Sequence, residues 1–284
     1  MIVTNFNSIV KHLTHDLEIK EDDVVFVFSG IRGLGLLDGG VETLHKAFCH
    51  VLSRGILILP TFTYSLGNQE IFHRYSPCPE MGAFSSFSVE NAGYQRTDNP
   101  NFSVSIHGGK GQEEIINSLL DVGLDCFGVG SIFDKIYQLG KSRRCYVLLF
   151  GGAFDDVLYR STFIHFAQQK TGVPHRYLKA FYEKNRKRYV TQFVRYLDES
   201  EYLRFSQASG CGFMFPIEED FSIYGLDLER NKLLRRVSFA YSESRMVSVR
   251  DSVDFFMDQL QRDQYYCIDK RCIKNAKTVD DKQS

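Results

Sequence analysis

The sequence predicts an α/β fold with a mixed central sheet flanked by helices. Three observations carry this. Short β-branched and aromatic runs, Val24–Phe28, Ile56–Leu59 and Tyr146–Phe150, have the composition of buried strands. Helical stretches alternate with them, and glycine turns follow two of the strands, at Ser29–Gly35 and Gly151-Gly152. That is how α/β proteins shape a cleft at the carboxyl edge of a sheet. After Lys170 the pattern turns more antiparallel, so the sheet is mixed.

The elements follow in order. Asn5–Leu13 reads as an opening helix, and Val24–Phe28 as a strand running into the glycine-rich loop Ser29–Gly35. A helix from about Val41 to Leu52 precedes the strand Ile56–Leu59, which Pro60 ends. Residues 65–100, rich in Gly, Ser, Pro and Asn, are expected to form a long surface excursion with short helices. Phe102–Ile106 is a further strand, and Glu113–Leu120 and Ile132–Leu139 are helices. Tyr146–Phe150 is a strand and Thr162–Lys170 a helix. Tyr177–Tyr182, Arg188–Tyr196 and short pieces near Ser238–Ser242 are antiparallel strands. An amphipathic helix, Val249–Gln261, precedes a polar tail from Asn275. The expected organisation is one domain over residues 1–274, with a core over 1–172, an acceptor-binding lobe over 173–274 and a tail over 275–284.

Composition narrows the function classes. An apolar fraction of 43% supports a large core, and no apolar run reaches the ~20 residues that span a bilayer. The amino terminus lacks the basic and apolar regions of a secretory signal. Seven cysteines without CxxC spacing fit neither a disulfide framework nor a zinc site. A cytoplasmic protein with reduced thiols and no bound metal is expected. Charge is uneven: Asp134–Arg195 has 13 Lys and Arg against 4 Asp and Glu, whereas Tyr196–Arg230 has 8 acidic and 2 basic residues. The basic stretch is either one of two solvated faces or a wall facing phosphate-rich ligands. No nucleic-acid-binding motif accompanies it.

The residue with the clearest chemical signal is His165, near the start of a helix that follows a strand and a Gly-Gly turn. A histidine there is either a satisfied structural residue or a base held beside the cleft.

Six motifs in order resemble the aminoglycoside 3-N-acetyltransferase family across Val24–Asp198. They are Phe28-Ser29-Gly30-Ile31-Arg32-Gly33-Leu34-Gly35, Gly39-Gly40-Val41-Glu42-Thr43, Gly55 through Pro60-Thr61-Phe62-Thr63, Met81-Gly82 with Asn99-Pro100-Asn101-Phe102-Ser103, Phe127-Gly128-Val129-Gly130-Ser131, and Thr162-Phe163-Ile164-His165-Phe166-Ala167-Gln168. The resemblance implies an α/β acyltransferase that uses acyl-CoA, either acetyl-CoA or a short hydroxyacyl-CoA. It implies His165 as general base, with Asp198 as the carboxylate that steadies the imidazole; Asp198 on its own could equally be a surface turn residue. Ser29, Gly30, Arg32 and Gly33 are expected at the coenzyme A phosphates, although those glycines also suit a simple tight turn. Thr61, Thr63 and Ser103 are expected at the pantetheine or the thioester oxygen. Gln168, Arg176 and Lys179 are expected at the acceptor, and His107 is read as structural.

The departures are as informative. The family's Glu after His-x-Ala is Gln168 here, its His before Pro is Asn99, and its first-loop His is Phe28. A lost carboxylate and a basic middle disfavour a cationic aminoglycoside. The expected acceptor is therefore a nucleotide-linked (dTDP-type) amino-deoxy sugar, of the kind that serves surface polysaccharide (lipopolysaccharide) biosynthesis. The alternatives are an aminoglycoside acetyltransferase and a catalytically silent relative. A serine hydrolase built on Ser29 or Ser103 lacks the Gly-x-Ser-x-Gly elbow. Neither nucleic acid nor membrane is an expected partner, and pairing of subunits is left open.

Overall fold

A computed structural model describes residues 1–63, 72–99, 102–123, 125–152, 162–172, 176–184, 187–194, 220–263 and 265–267; of the hairpin over 176–194 only the backbone is described. In chain order the elements are β1 (Val3–Thr4), α1 (Phe6–Lys11), β2 (Val24–Ser29), β3 (Leu36–Leu37), α2 (Gly40–Val51), β4 (Ile56–Pro60), α3 (Gly82–Glu90), β5 (Gln95–Arg96), β6 (Val104–Gly108), α4 (Glu113–Leu120), α5 (Ile132–Leu139), β7 (Cys145–Phe150), α6 (Thr162–Lys170), β8 (Arg176–Lys184), β9 (Lys187–Val194), α7 (Ser222–Arg230), β10 (Leu234–Phe239), β11 (Ser242–Ser248) and α8 (Val249–Arg262).

Seven strands form the central sheet in the order β10-β11-β7-β2-β4-β6-β5. The middle three are parallel: β2 pairs with β7 from Val24↔Cys145 to Ser29↔Phe150, and with β4 from Val24↔Ile56. The flanking strands are antiparallel. The expected mixed sheet is present. Alternation in β2 divides the core in two: Val24 and Phe26 enter one apolar cluster with α5, α6 and α8, whereas Val25 and Val27 enter another with α1 and α2. Each large side chain buried this way contributes about 1.5–3 kcal/mol.

Two expectations need correction. Residues 72–99 are not a surface excursion. Phe72, Phe84 and Tyr94 are buried, and so is Arg96, whose guanidinium donates to the carbonyls of Thr61, Arg74 and Ser76. Burial without a carboxylate among these partners pushes the Arg96 pKa down to about 10, still charged at neutral pH. The short strands foreseen near Ser238–Ser242 are instead the long hairpin β10–β11, and β11 pairs with β7. The sheet therefore crosses the expected boundary at residue 172. The helices over 113–120, 132–139 and 162–170 fall as read, while α1 continues into a π-turn over His12–Asp16.

No helix among the described residues is long and apolar enough to cross a membrane. Cys49, Cys78 and Cys145 are free thiols. The expected tail over 275–284 lies outside the described residues.

Candidate active site at the carboxyl edge of the sheet

Because β2, β4 and β7 are parallel, their carboxyl ends, Ser29, Pro60 and Phe150, open on one edge. The loops leaving that edge are Gly30–Gly35, Thr61-Phe62-Thr63 and Gly151-Gly152, as the sequence foretold. Their contacts are those of the tight turn that the sequence left open as the alternative. The Gly30 N–H donates to the Phe150 carbonyl at 2.8 Å and the Gly33 N–H to the Gly30 carbonyl at 3.0 Å. A Cβ on Gly30 would stand 2.6 Å from Gly152 Cα, and one on Gly33 2.0 Å from the Gly151 carbonyl oxygen. These two glycines hold one turn against the other, and their N–H groups are spent inside the protein rather than offered to phosphate. Ser29 is half-buried, whereas Arg32 is exposed, with no ion-pair partner among the described residues.

Thr61, Thr63 and Ser103 are fully buried. The Ser103 hydroxyl donates to the Thr61 carbonyl at 2.7 Å and accepts from Arg96 Nε at 3.1 Å, and Thr61 Oγ1 lies 3.3 Å from it. These bonds of Thr61 and Ser103 join the end of β4 to the start of β6.

His165 lies on α6, which is anchored by Phe163 against Phe26 and Phe133. Its ring is half-buried, 5.4 Å from Phe127 and 6.5 Å from Phe221. Aromatic contacts lead back from Phe127 through Phe102 and Phe62 to Phe28 at the end of β2. His165 Nδ1 is 2.9 Å from Gln168 Oε1. With Oε1 accepting, Nδ1 carries the ring hydrogen and the lone pair falls on Nε2. Gln168 is 0% exposed. The residue expected at the acceptor is thus bonded to the histidine. The Gln168 Nε2 is buried with no partner among the described residues.

One side chain escaped the sequence reading. Asp125 accepts from the Phe127 and Gly128 N–H groups, each at 3.0 Å, and from Gln169 Nε2 at 2.6 Å, so it ties the loop under the histidine ring to α6. Asn99 accepts from the Phe102 N–H at 3.1 Å and meets Cys126 at 3.6 Å. The landmark motifs flagged these loops without giving the side chains a task. Arg176 and Lys179 lie on β8, where only the backbone is described, and Asp198 lies outside the described residues. Arg143 and Arg144 precede β7 and so flank the opposite edge of the sheet. His107 Nδ1 pairs with the Gly93 carbonyl at 2.9 Å.

A second histidine has the fuller hydrogen-bond relay. His12 Nδ1 is 2.8 Å from Asp16 Oδ2, and its Nε2 is 2.9 Å from Ser244 Oγ. An Asp–His–Ser row is the arrangement of a hydrolase nucleophile, yet His12 is 1% and Ser244 0% exposed. Phe239 stacks on the His12 ring at 4.2 Å. Burial lowers the His12 pKa, opposed by the hydrogen bond and charge of Asp16. No substrate reaches this serine. No metal-ligating cluster is found among the described residues.

The family model for aminoglycoside 3-N-acetyltransferase matches residues 26–261. Among solved structures, the apoenzyme of aminoglycoside acetyltransferase AAC(3)-IVa superimposes with a TM-score of 0.70 at 18% identity, over 94% of this chain and 92% of that one. The YokD protein from Bacillus subtilis gives 0.67 at 20% identity, over 92% and 94%. AAC-IIIb in a binary complex with CoASH gives 0.67 at 15% identity, over 92% and 97%. At these identities the likeness establishes the fold. No curated protein matches by sequence.

Proposed function

Because this chain belongs to the aminoglycoside 3-N-acetyltransferase family, we propose that His165 is the general base for acyl transfer to the amine of an amino sugar. As a family member the protein is an acyl-CoA-dependent N-acyltransferase. The observation that carries the role of His165 is its pairing with Gln168, which fixes the ring tautomer at the carboxyl edge where the loops converge.

The residues suit the reaction. Acyl-CoA supplies the activated carbonyl. Arg32, exposed beside the first loop, offers a charge for its phosphates. At His165 the lone pair on Nε2 takes the proton of the attacking amine as the new C–N bond forms and the C–S bond breaks. The imidazolium then returns that proton to the departing sulfur. Gln168 acts as a positioning residue: it aims the ring with a neutral amide, where the resemblance implies a carboxylate. Asp198, proposed as the supporting acid, would then act beyond Nδ1, which Gln168 occupies.

The proposed acceptor is a nucleotide-linked amino-deoxy sugar. Support for it comes from residues 170–195, where eight Lys and Arg accompany one acid, Glu183, directly after α6. The pair Arg143-Arg144, at the other edge, lends it nothing. A second reading, an aminoglycoside acceptor, draws on the family match and on AAC(3)-IVa with apramycin and AAC-VIa with sisomicin.

Thiol release from acetyl-CoA and 3-hydroxybutanoyl-CoA separates the two. A dTDP-linked 3-amino-3,6-dideoxyhexose should release thiol and kanamycin should not. Release with kanamycin alone would move the assignment to the second reading.

A further inference from the structure

We propose that the cleft at the amino-terminal edge of the sheet is a second ligand site, built for a small molecule that carries two phosphate groups and is the size of a nucleoside diphosphate. It holds about 590 Å³ and lies where β2 and β7 begin and β11 ends. That size falls within the ordinary range of small-molecule sites. The length of β7 separates its mouth from the Gly151-Gly152 loop by roughly 17 Å, at ~3.3 Å per strand residue.

Its wall is cationic. Arg143, Arg144, Lys232, Arg235 and Arg250 line it, and the lining carboxylates are Glu18 and Asp251. Some of this charge is already matched. Arg144 Nε donates to the buried Asp23 at 2.7 Å, and Arg235 pairs with Glu18 at 3.1 Å. The rest is matched less fully. Arg143 donates to the neutral Gln112 at 2.6 Å and has no carboxylate partner among the described residues. Lys232 likewise has none. Arg250 pairs with Asp254 at 3.4 Å and lies over the Tyr137 ring at 5.2 Å, and its Nη1 is buried with no hydrogen-bond partner among the described residues. Guanidinium groups matched in this partial way are the usual recognition elements for phosphate.

Two further features aim the site. Lys232 is held at φ 57°, a left-handed conformation that favours glycine, so a charged side chain is kept where the backbone would do better without one. Ser248 and Asp251, at the amino terminus of α8, also line the cleft, which brings the positive end of a 14-residue helix to the same space. Leu17, Leu234, Met246 and the ring of Tyr146, over which Arg144 lies at 5.6 Å, add apolar lining that suits a base or sugar. Acyl transfer at the other edge uses none of these groups, and the two sites stand independently.

Isothermal titration of the full chain, with coenzyme A saturating, tests the site using inorganic pyrophosphate and ADP as probes. One equivalent of each should bind, unaffected by His165→Ala. Arg143→Gln together with Lys232→Gly should weaken both probes at least tenfold. Lys232→Gly alone should keep or raise the Tm, because glycine relieves the backbone, so its loss of binding could not be ascribed to misfolding. No heat with either probe, displacement of the probes by coenzyme A, or equal affinity in the double variant would each overturn the proposal. So would a DNA duplex that binds this face while both probes fail.

Discussion

Each face of the central sheet carries a histidine whose Nδ1 is bonded within its own helical segment, His12 on one and His165 on the other, and the two have opposite fates. On the α1 face, His12 meets a carboxylate four residues on and a serine across the fold, a complete relay. On the α6 face, His165 meets a neutral amide three residues on. By polar partners alone His12 is the better base. Yet it is sealed under Phe239 and Phe150, while His165 is half-buried at the edge where three loops meet. Access and position at a strand end are what favour His165 as the proposed base. The relay around His12 instead satisfies buried polar atoms, each of which would cost ~1–3 kcal/mol if left unpaired.

The widest separation of the two should come from His165→Ala. Turnover should fall by at least ~10²-fold, the scale of a lost general base, with the Tm and the affinity for coenzyme A nearly unchanged. Turnover close to wild type would remove the distinction drawn between the faces.

A smaller effect should sharpen it. Gln168→Ala removes the partner that fixes the ring and should lower kcat by about tenfold, in the range found for groups that orient an active side chain. Gln168→Glu keeps the geometry and adds a charge. A carboxylate beside the imidazole favours its protonated form, so the acidic limb of the kcat/KM profile should move to higher pH. If the profile stays in place while kcat changes, Gln168 is only a packing residue.

The sequence made one of these histidines visible and hid the other, for a physical reason. His165 sits in a short local pattern of strand, glycine turn and helix, and such patterns survive in a linear reading. His12 and Ser244 are 232 residues apart and meet only because β11 joins the sheet beside β7. That strand was itself hard to read. Arg236, Glu243 and Arg245 interrupt the hairpin pattern, and only the fold reveals that both arginines pair with Glu243. The central strands, by contrast, are buried on both faces and advertise themselves as unbroken apolar runs. The glycine loops were located from sequence with two tasks left open: a glycine whose added Cβ would fall 2–3 Å from a neighbouring backbone looks the same in sequence as one that cradles phosphate.

The smallest expected effect belongs to the sealed histidine and concerns stability. Burial holds His12 below its ordinary pKa of 6.5, so the imidazole stays neutral in the folded protein at pH values where the unfolded chain has begun to protonate. Above about pH 6.5 both states are neutral and this group adds no pH dependence. As pH falls below that value the unfolded state takes up the proton first, and stability declines until the folded pKa is reached. The slope from one such group cannot exceed ~1.4 kcal/mol per pH unit. Urea denaturation at pH 7.5 and 5.5, for wild type and His12→Phe, isolates it. The phenylalanine variant should be less stable at pH 7.5, since Ser244 loses its partner, and should lose less stability than wild type between the two pH values. Equal losses in both proteins would mean that His12 titrates alike in the folded and unfolded states, and that the relay is no more closed to protons than the site across the sheet.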